Sequence, residues 1–219
     1  MLRAIIFDMD GVLLDSESRH YQVLRQLLGE YGYCYTREHF LQYCGIPEYD
    51  MWPKLLQAAK IDADPEILQQ EHQGRYRADR EKHGLPRFPG LGQFLCRLKQ
   101  HGYDLAVASG SAPKTISENI NLLGYASYFD QIVSAQNCPH AKPEPDVFLF
   151  AARQLGVQPK ECLVIEDSRN GMLAAKRAGM PYVGFYGAEV RPDMSLAQFK
   201  FCDYRTTTPE QLVQWYHGQ

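Results

Sequence analysis

A chain of 219 residues, 45% hydrophobic and 22% charged, has enough apolar side chain for one large core, or for a core beside a smaller domain. A net charge of −3 excludes the strongly basic surface of a nucleic-acid or membrane-surface binder. No apolar stretch approaches the ~20 residues that span a bilayer. The N-terminal apolar run is too short for a signal peptide and leads straight into an acidic motif. Cysteines at 34, 44, 96, 138, 162 and 202 form no Cys-x-x-Cys pair, and the histidines are equally dispersed. Neither pattern has zinc spacing, and scattered thiols suit a reduced, cytoplasmic protein.

The first element is the strand run Leu2-Arg3-Ala4-Ile5-Ile6, which passes directly into Phe7-Asp8-Met9-Asp10-Gly11. In an open α/β sheet, ligands bind beyond the carboxyl ends of the strands, so this strand carries Asp8 and Asp10 to where chemistry sits. Two Asp at a spacing of two can hold one hard cation, or divide the roles of nucleophile and general acid/base. The plainer reading is an ordinary Asp-Gly turn.

From Ser16 to about Arg87 the pattern is helical, with few β-branched runs. Tyr21, Leu24, Leu28 and Tyr31 share one face at helical spacing. Thr36 precedes a short segment with Phe40 and Tyr43, and Asp64-Pro65 reads as the N-cap and first position of a helix running toward Lys82.

Beyond residue 87 strand and helix alternate. Phe94, Leu95 and Leu98 mark a helix before a strand at 103–108, which runs into Ser109-Gly110-Ser111. Helices are expected at Lys114–Leu123, Val147–Leu155, Gly171–Ala178 and Pro209–Tyr216, the last with Thr208 as N-cap and Gln211 as its capping-box partner. Strands fall near 131–134, 162–165 and 181–186, and the second of these, Cys162 to Ile165, runs into Glu166-Asp167-Ser168. Between them lies Ala141-Lys142-Pro143-Glu144-Pro145, where two prolines stiffen the backbone around a lysine. The plainer reading of Lys142 is a solvated surface charge whose removal leaves folding nearly unaffected. The alternation predicts a doubly wound parallel sheet, a Rossmann-like α/β core of 1–15 and 88–219, with 16–87 inserted as a helical cap domain.

These four segments resemble the four motifs of the haloacid dehalogenase superfamily: Asp8-Met9-Asp10-Gly11, Ser109, Lys142 and Glu166-Asp167. The stretch from Asp8 to His20 and the run from Lys142 to Asp146 are most similar to the β-phosphoglucomutase-like branch. The second aspartate, Asp10, implies phosphomonoester chemistry. The resemblance implies that Asp8 attacks phosphorus to form an aspartyl phosphate, that Asp10 protonates the leaving alcohol and then activates water, and that Ser109 and Lys142 complete the catalytic set. Mg²⁺ is the implied cofactor, with Asp8, Asp10 (through its backbone carbonyl), Asp167 and Glu166 as its ligands. Gly110 and Ser111 are expected near the phosphate, and Ser16, His20 and Gly45 near the substrate.

The chain departs from the mutase pattern. Pro47 and Glu48 stand where the mutases carry an arginine after the glycine of the cap loop, and Ala112 and Pro113 stand where they carry a Lys-Asn pair. A mutase needs a second cation for its bisphosphate. Arg19, Arg75 or Arg77 could supply it, though a solvated helix face explains each as well. The expectation is therefore a phosphatase for a small phosphorylated metabolite, monomeric, with no nucleic-acid or membrane partner. A sugar phosphomutase and a non-catalytic binding module are the alternatives.

Overall fold

The structure is a computed structural model that describes residues 1–43, 46, 48–188 and 193–218. The chain divides into two compact units: Met1–Asp15 with Arg87–Ala188 and the C-terminal segment, and Ser16–Pro86. Arg87 belongs with the first unit, not with the helical insertion as expected. It bridges to Leu14, and its guanidinium donates to the Leu122 carbonyl at 3.0 Å.

The α/β unit is a six-stranded sheet of β1 (Ala4–Phe7), β2 (Asp104–Ser109), β3 (Gln131–Ser134), β4 (Cys162–Glu166), β5 (Tyr182–Phe185) and β6 (Lys200–Phe201). The order is β3-β2-β1-β4-β5-β6 and every pairing is parallel. β1 is buried along its whole length, so both faces must be apolar, which is why it reads as a continuous run and not as an alternation. One face, with Ala4, Ile6, Ala106 and Val164, packs on Val147, Phe148 and Ala151 of α7 (Asp146–Leu155) and on Ala174 and Ala175 of α8 (Arg169–Arg177). On the other side of the core, Phe94 from α5 (Leu91–Gln100) meets Phe201 and Tyr204, and Phe185 stacks on Tyr204 at 4.5 Å. α6 (Pro113–Leu123) follows β2. α9 (Pro209–His217) starts at the expected Thr208–Gln211 capping box. The strand order reverses between β1 and β4, and in such a sheet the crevice beyond that point is the ligand position.

The helical unit has its own core. α1 (Ser16–Glu30) supplies Tyr21, Leu24, Leu27 and Leu28. α2 (Arg37–Tyr43) supplies Phe40, and α3 (Glu48–Ala59) supplies Met51, Trp52, Leu55 and Leu56. α4 (Pro65–His83) opens at Asp64, whose carboxylate accepts from the Glu66 and Ile67 amides. Tyr31 does not join the Tyr21–Leu28 face. The helix stops at Glu30, Gly32 turns the chain at φ +76°, and Tyr31 is exposed. α3 has no counterpart among the expected helices, because Pro53 lies inside it and reads as a breaker. Among the described residues no helix is long and apolar enough to cross a membrane.

Candidate active site

β1 and β4 run in register, Phe7 beside Ile165, and the Asp8 amide continues the pairing by donating to the Ile165 carbonyl. Asp8 therefore leaves the sheet next to Glu166 and Asp167. After Asp8 the chain folds on itself: the amides of Val12, Leu13 and Leu14 all donate to the Met9 carbonyl, and that of Gly11 to Leu14. Gly11 has φ +79°, and a Cβ there would overlap the Asp167 carboxylate. The glycine thus supplies both the left-handed turn and the space that lets Asp167 lie against the loop after β1. Tyr204, fully buried, donates its hydroxyl to the Val12 carbonyl at 2.9 Å and so pins this loop from the C-terminal segment. Nothing in the local sequence around Tyr204 signals that task.

Lys142 is the centre of the charge arrangement. Its ammonium donates to Asp8 Oδ1 at 2.5 Å, to Glu166 Oε1 at 2.8 Å and to the Ala108 carbonyl at 3.2 Å, and it stands 4.7 Å from the centre of the Phe148 ring. The three charged side chains are 13%, 11% and 1% exposed for Lys142, Asp8 and Glu166, so this is a buried triad and not the surface lysine of the plainer reading. Burial alone would lower the Lys142 ammonium, but Asp8 and Glu166 more than offset it and hold it above the ordinary lysine range. Burial raises the Asp8 carboxyl to about 7, with Lys142 pulling it back and Glu166 and Asp10 adding to the rise.

Glu166, expected among the metal ligands, is hydrogen-bonded through both carboxylate oxygens. One oxygen accepts from Lys142, and the other accepts from the Ser168 amide at 2.7 Å and the Ser168 hydroxyl at 2.9 Å. Ser168 in turn caps α8 by accepting from the Gly171 amide. A Cβ on Gly171 would overlap the Glu166 carboxylate, so that glycine makes the room. Both oxygens are engaged by protein donors, and the residue orients the lysine.

Ser109, 1% exposed at the end of β2, accepts from the Ser111 amide at 3.1 Å, which leaves its O–H to donate elsewhere. Gly110 is exposed beside it. Ser111 was expected to meet substrate. Its hydroxyl donates to Asp10 Oδ2 at 3.1 Å, and its carbonyl accepts from Ser134. Ser111 therefore orients Asp10. Ser16, buried, and His20 belong to the helical unit. His20 stacks on Tyr76, its ring centre 3.8 Å away. Gly45 lies outside the described residues.

Among the described residues no three His, Cys, Asp or Glu side chains converge into a ready-made metal cage; the expected set is three carboxylates, of Asp8, Asp167 and Glu166, with the Asp10 backbone carbonyl. Asp10 is turned to Ser111, and Glu166 to Lys142 and Ser168. The donors at the ends of the adjacent strands β1 and β4 are all oxygen, the carboxylates of Asp8 and Asp167 and the backbone carbonyl of Asp10. That set fits Mg²⁺, which takes one or two carboxylates and completes its shell with water and phosphate oxygens.

A model of the haloacid dehalogenase-like hydrolase family matches residues 5–185. The fructose-1-phosphate phosphatase YqaB of Escherichia coli is 34% identical over 180 residues, covering 82% of this chain and 94% of that protein. The phosphorylated carbohydrates phosphatase of Thermotoga maritima is 32% identical over 180 residues, 82% of each. Among solved structures, the β-phosphoglucomutase of Clostridium difficile is similar with a TM-score of 0.72 at 26% identity, over 100% of this chain and 98% of that one. The chain belongs to the haloacid dehalogenase-like hydrolase family and is a phosphoric monoester hydrolase.

Proposed function

We propose that the protein is a Mg²⁺-dependent phosphatase that hydrolyses a small sugar phosphate through an aspartyl phosphate on Asp8. The observation that carries this reading is the buried Lys142 ammonium held between Asp8 and Glu166 at the reversal point of the sheet. A carboxylate that must approach a phosphate dianion needs fixed positive charge beside it, and a pinned lysine costs no reorganisation during the reaction.

Asp8, Asp167 and the Asp10 carbonyl are the groups that would hold Mg²⁺, whose contribution is to neutralise phosphate charge. An Asp8 carboxylate oxygen forms the bond to phosphorus as the bond to the substrate oxygen breaks, and the Asp10 carboxylic acid gives that oxygen its proton. In the second half Asp10 takes a proton from water, the water oxygen bonds to phosphorus, and Asp8 leaves as a carboxylate. The Ser111 hydroxyl holds Asp10 in place for both proton transfers. The Ser109 hydroxyl and the Gly110 amide donate to phosphate oxygens.

The α/β unit is read as the catalytic core and the helical unit as the domain that selects substrate. The names of the two phosphatase relatives support a phosphorylated carbohydrate as the substrate class. A phosphatase is favoured over a mutase because two arginines available for a second phosphate are already paired. Arg75 lies within 2.7 Å of both Glu30 oxygens and also contacts Glu71, and Arg19 lies 2.8 Å from Asp79. A reduced cytoplasmic setting and a monomer complete the reading; all described cysteines are free.

The test is a phosphate-release screen over sugar phosphates, nucleotides and small phosphoesters with Mg²⁺. Release that is greatest with sugar phosphates is expected. Production of glucose 6-phosphate from β-glucose 1-phosphate, without free phosphate, would overturn the phosphatase reading in favour of a mutase.

A further inference from the structure

The Lys142 ammonium is held by Asp8, Glu166 and the Ala108 carbonyl, but its main chain lies in the loop that leads into α7. A lysine tip is only as fixed as the backbone that carries it. That loop has little with which to hold itself. Pro143 and Pro145 carry no N–H, so Glu144 has the one backbone donor of residues 143–145, and it is used in a local turn, to the Ala141 carbonyl at 2.9 Å.

The hold comes from α8. The Arg177 guanidinium, in the last turn of that helix, donates through one nitrogen to the Pro143 carbonyl at 3.0 Å and to the Glu144 carboxylate at 2.5 Å. The helix is a firm place to hold from, because Met172, Ala174 and Ala175 are fully buried, the two alanines in the core beside Phe148 and Ala151 of α7. Its opposite end serves the same lysine. Ser168, which caps α8, donates to the Glu166 oxygen that Lys142 does not use. One helix about 13 Å long thus sets Glu166 from its first turn and the Lys142 loop from its last.

The ion pair alone would mean little. The Arg177 and Glu144 side chains are 45% and 48% exposed, and pairs so exposed add almost nothing measurable to stability. The bond to the Pro143 carbonyl is different, because it falls on the residue next to Lys142 and supplies a donor that the prolines have removed. We infer that Arg177 is a positioning residue for Lys142, fixing the lysine's backbone while the buried acids fix its tip. The kinetic consequence rests on the phosphatase reading above.

The test is a double-mutant cycle. Arg177→Met keeps the apolar stem and removes every N–H. With the best phosphoester of the screen its kcat is expected to fall about tenfold, short of the ~10²-fold cost of a misplacement of about an ångström, while KM stays within about twofold. Arg177→Lys should restore most of the loss, because both bonds leave from one nitrogen and an ammonium has three donors. In a Lys142→Ala background, Arg177→Met should change kcat by less than about twofold, since the group it positions is gone. A kcat within about twofold of the parent, a loss carried by KM, a loss that lysine does not restore, or the same loss with and without Lys142 overturns the inference. If no phosphoester is turned over, the phosphatase reading fails, and urea unfolding of the same variants decides this one. Lys142→Ala should then raise the unfolding constant at least about threefold less in the Arg177→Met background than in the parent, beyond the roughly twofold error of independent sites. An equal rise in both backgrounds overturns it.

Discussion

Lys142→Ala removes an ammonium that two buried carboxylates share. The prolines around Lys142 suit a fixed cation, while the plainer reading of a solvated charge gives the expectation that its loss leaves folding nearly unaffected, and the structure reverses that expectation about folding. Nζ donates to Asp8, to Glu166 and to the Ala108 carbonyl, and the Glu166 side chain is 1% exposed. Removing one member of a buried pair leaves an uncompensated charge and costs about 3–5 kcal/mol. Asp8 limits the damage, because burial already raises its carboxyl to about 7, and without Lys142 it takes up a proton more readily. A folded pKa lifted above the unfolded value binds protons on folding, so the variant regains stability as pH falls and loses it as pH rises through the folded pKa. The expected destabilisation is therefore about 3 kcal/mol at pH 8 and clearly less at pH 5.5. Phosphate release should fall roughly 10²–10³-fold, with poor rescue by Lys142→Arg, since a planar fork does not replace a compact ammonium between two acids. Urea unfolding at the two pH values and a phosphate-release assay make the measurements. A variant that unfolds within about 0.5 kcal/mol of the parent at pH 8, the range of ordinary surface substitutions, would show that the buried triad does not form. A rate within about twofold of the parent, far short of that loss, would remove Lys142 from the chemistry.

Chelation by EDTA should abolish phosphate release, and Asp167→Ala should sharply raise the Mg²⁺ requirement; full activity after exhaustive chelation rules out the metal. Asp8→Asn should form no phosphoenzyme, whereas Asp10→Asn should keep the nucleophile and lose about 10²–10⁴-fold in turnover. Rapid-quench labelling that places phosphate on another residue refutes the assignment. Gly171→Ala should destabilise and inactivate together, because the added methyl meets the Glu166 carboxylate, while Gly29→Ala, in open space on α1, should be neutral or stabilising. Equal tolerance of both would contradict the packing around Glu166. His20, lowered to about 4 by burial and then by His72, contributes stability present above pH 6.5 and lost as pH falls toward 4, about 2 kcal/mol between pH 7 and 4.5. His20→Gln should remove that part of the pH dependence of urea unfolding, and an unaltered dependence would contradict it.

The parts of the fold legible in the sequence are those where local chemistry and tertiary structure agree. The apolar run before Asp8 is a strand because β1 is covered on both faces. Asp64-Pro65 and Thr208-Gln211 start helices because capping is satisfied within a few residues. α3 was missed because tertiary packing of Trp52, Leu55 and Leu56 overrides the propensity of Pro53. β6, two residues long, carries no period to detect. At the site, the junctions after β1, β2 and β4 announced their acids and hydroxyls. Their partners did not. That Ser111 serves Asp10, that Ser168 and Gly171 serve Glu166, and that Tyr204 holds Val12 are contacts between distant segments or between a side chain and a neighbouring turn. No spacing rule records them.

The charge balance of the site supports the proposal that a cation in addition to Lys142 takes part in the mechanism. Two acids, Asp8 and Glu166, already share that one ammonium before Asp167 is counted. A phosphate monoester arriving at this point brings further negative charge into a buried place, where repulsion is screened far less than in water. Lys142 offsets only part of that charge, because one ammonium is shared with the two carboxylates and Ala108. The lysine makes the buried acids tolerable in the resting fold, and Asp167, set against Gly11, is the carboxylate proposed above to hold a divalent ion for the substrate. On this argument a Lys142 variant is impaired in folding and in chemistry together, whereas an Asp167 variant fails in chemistry first.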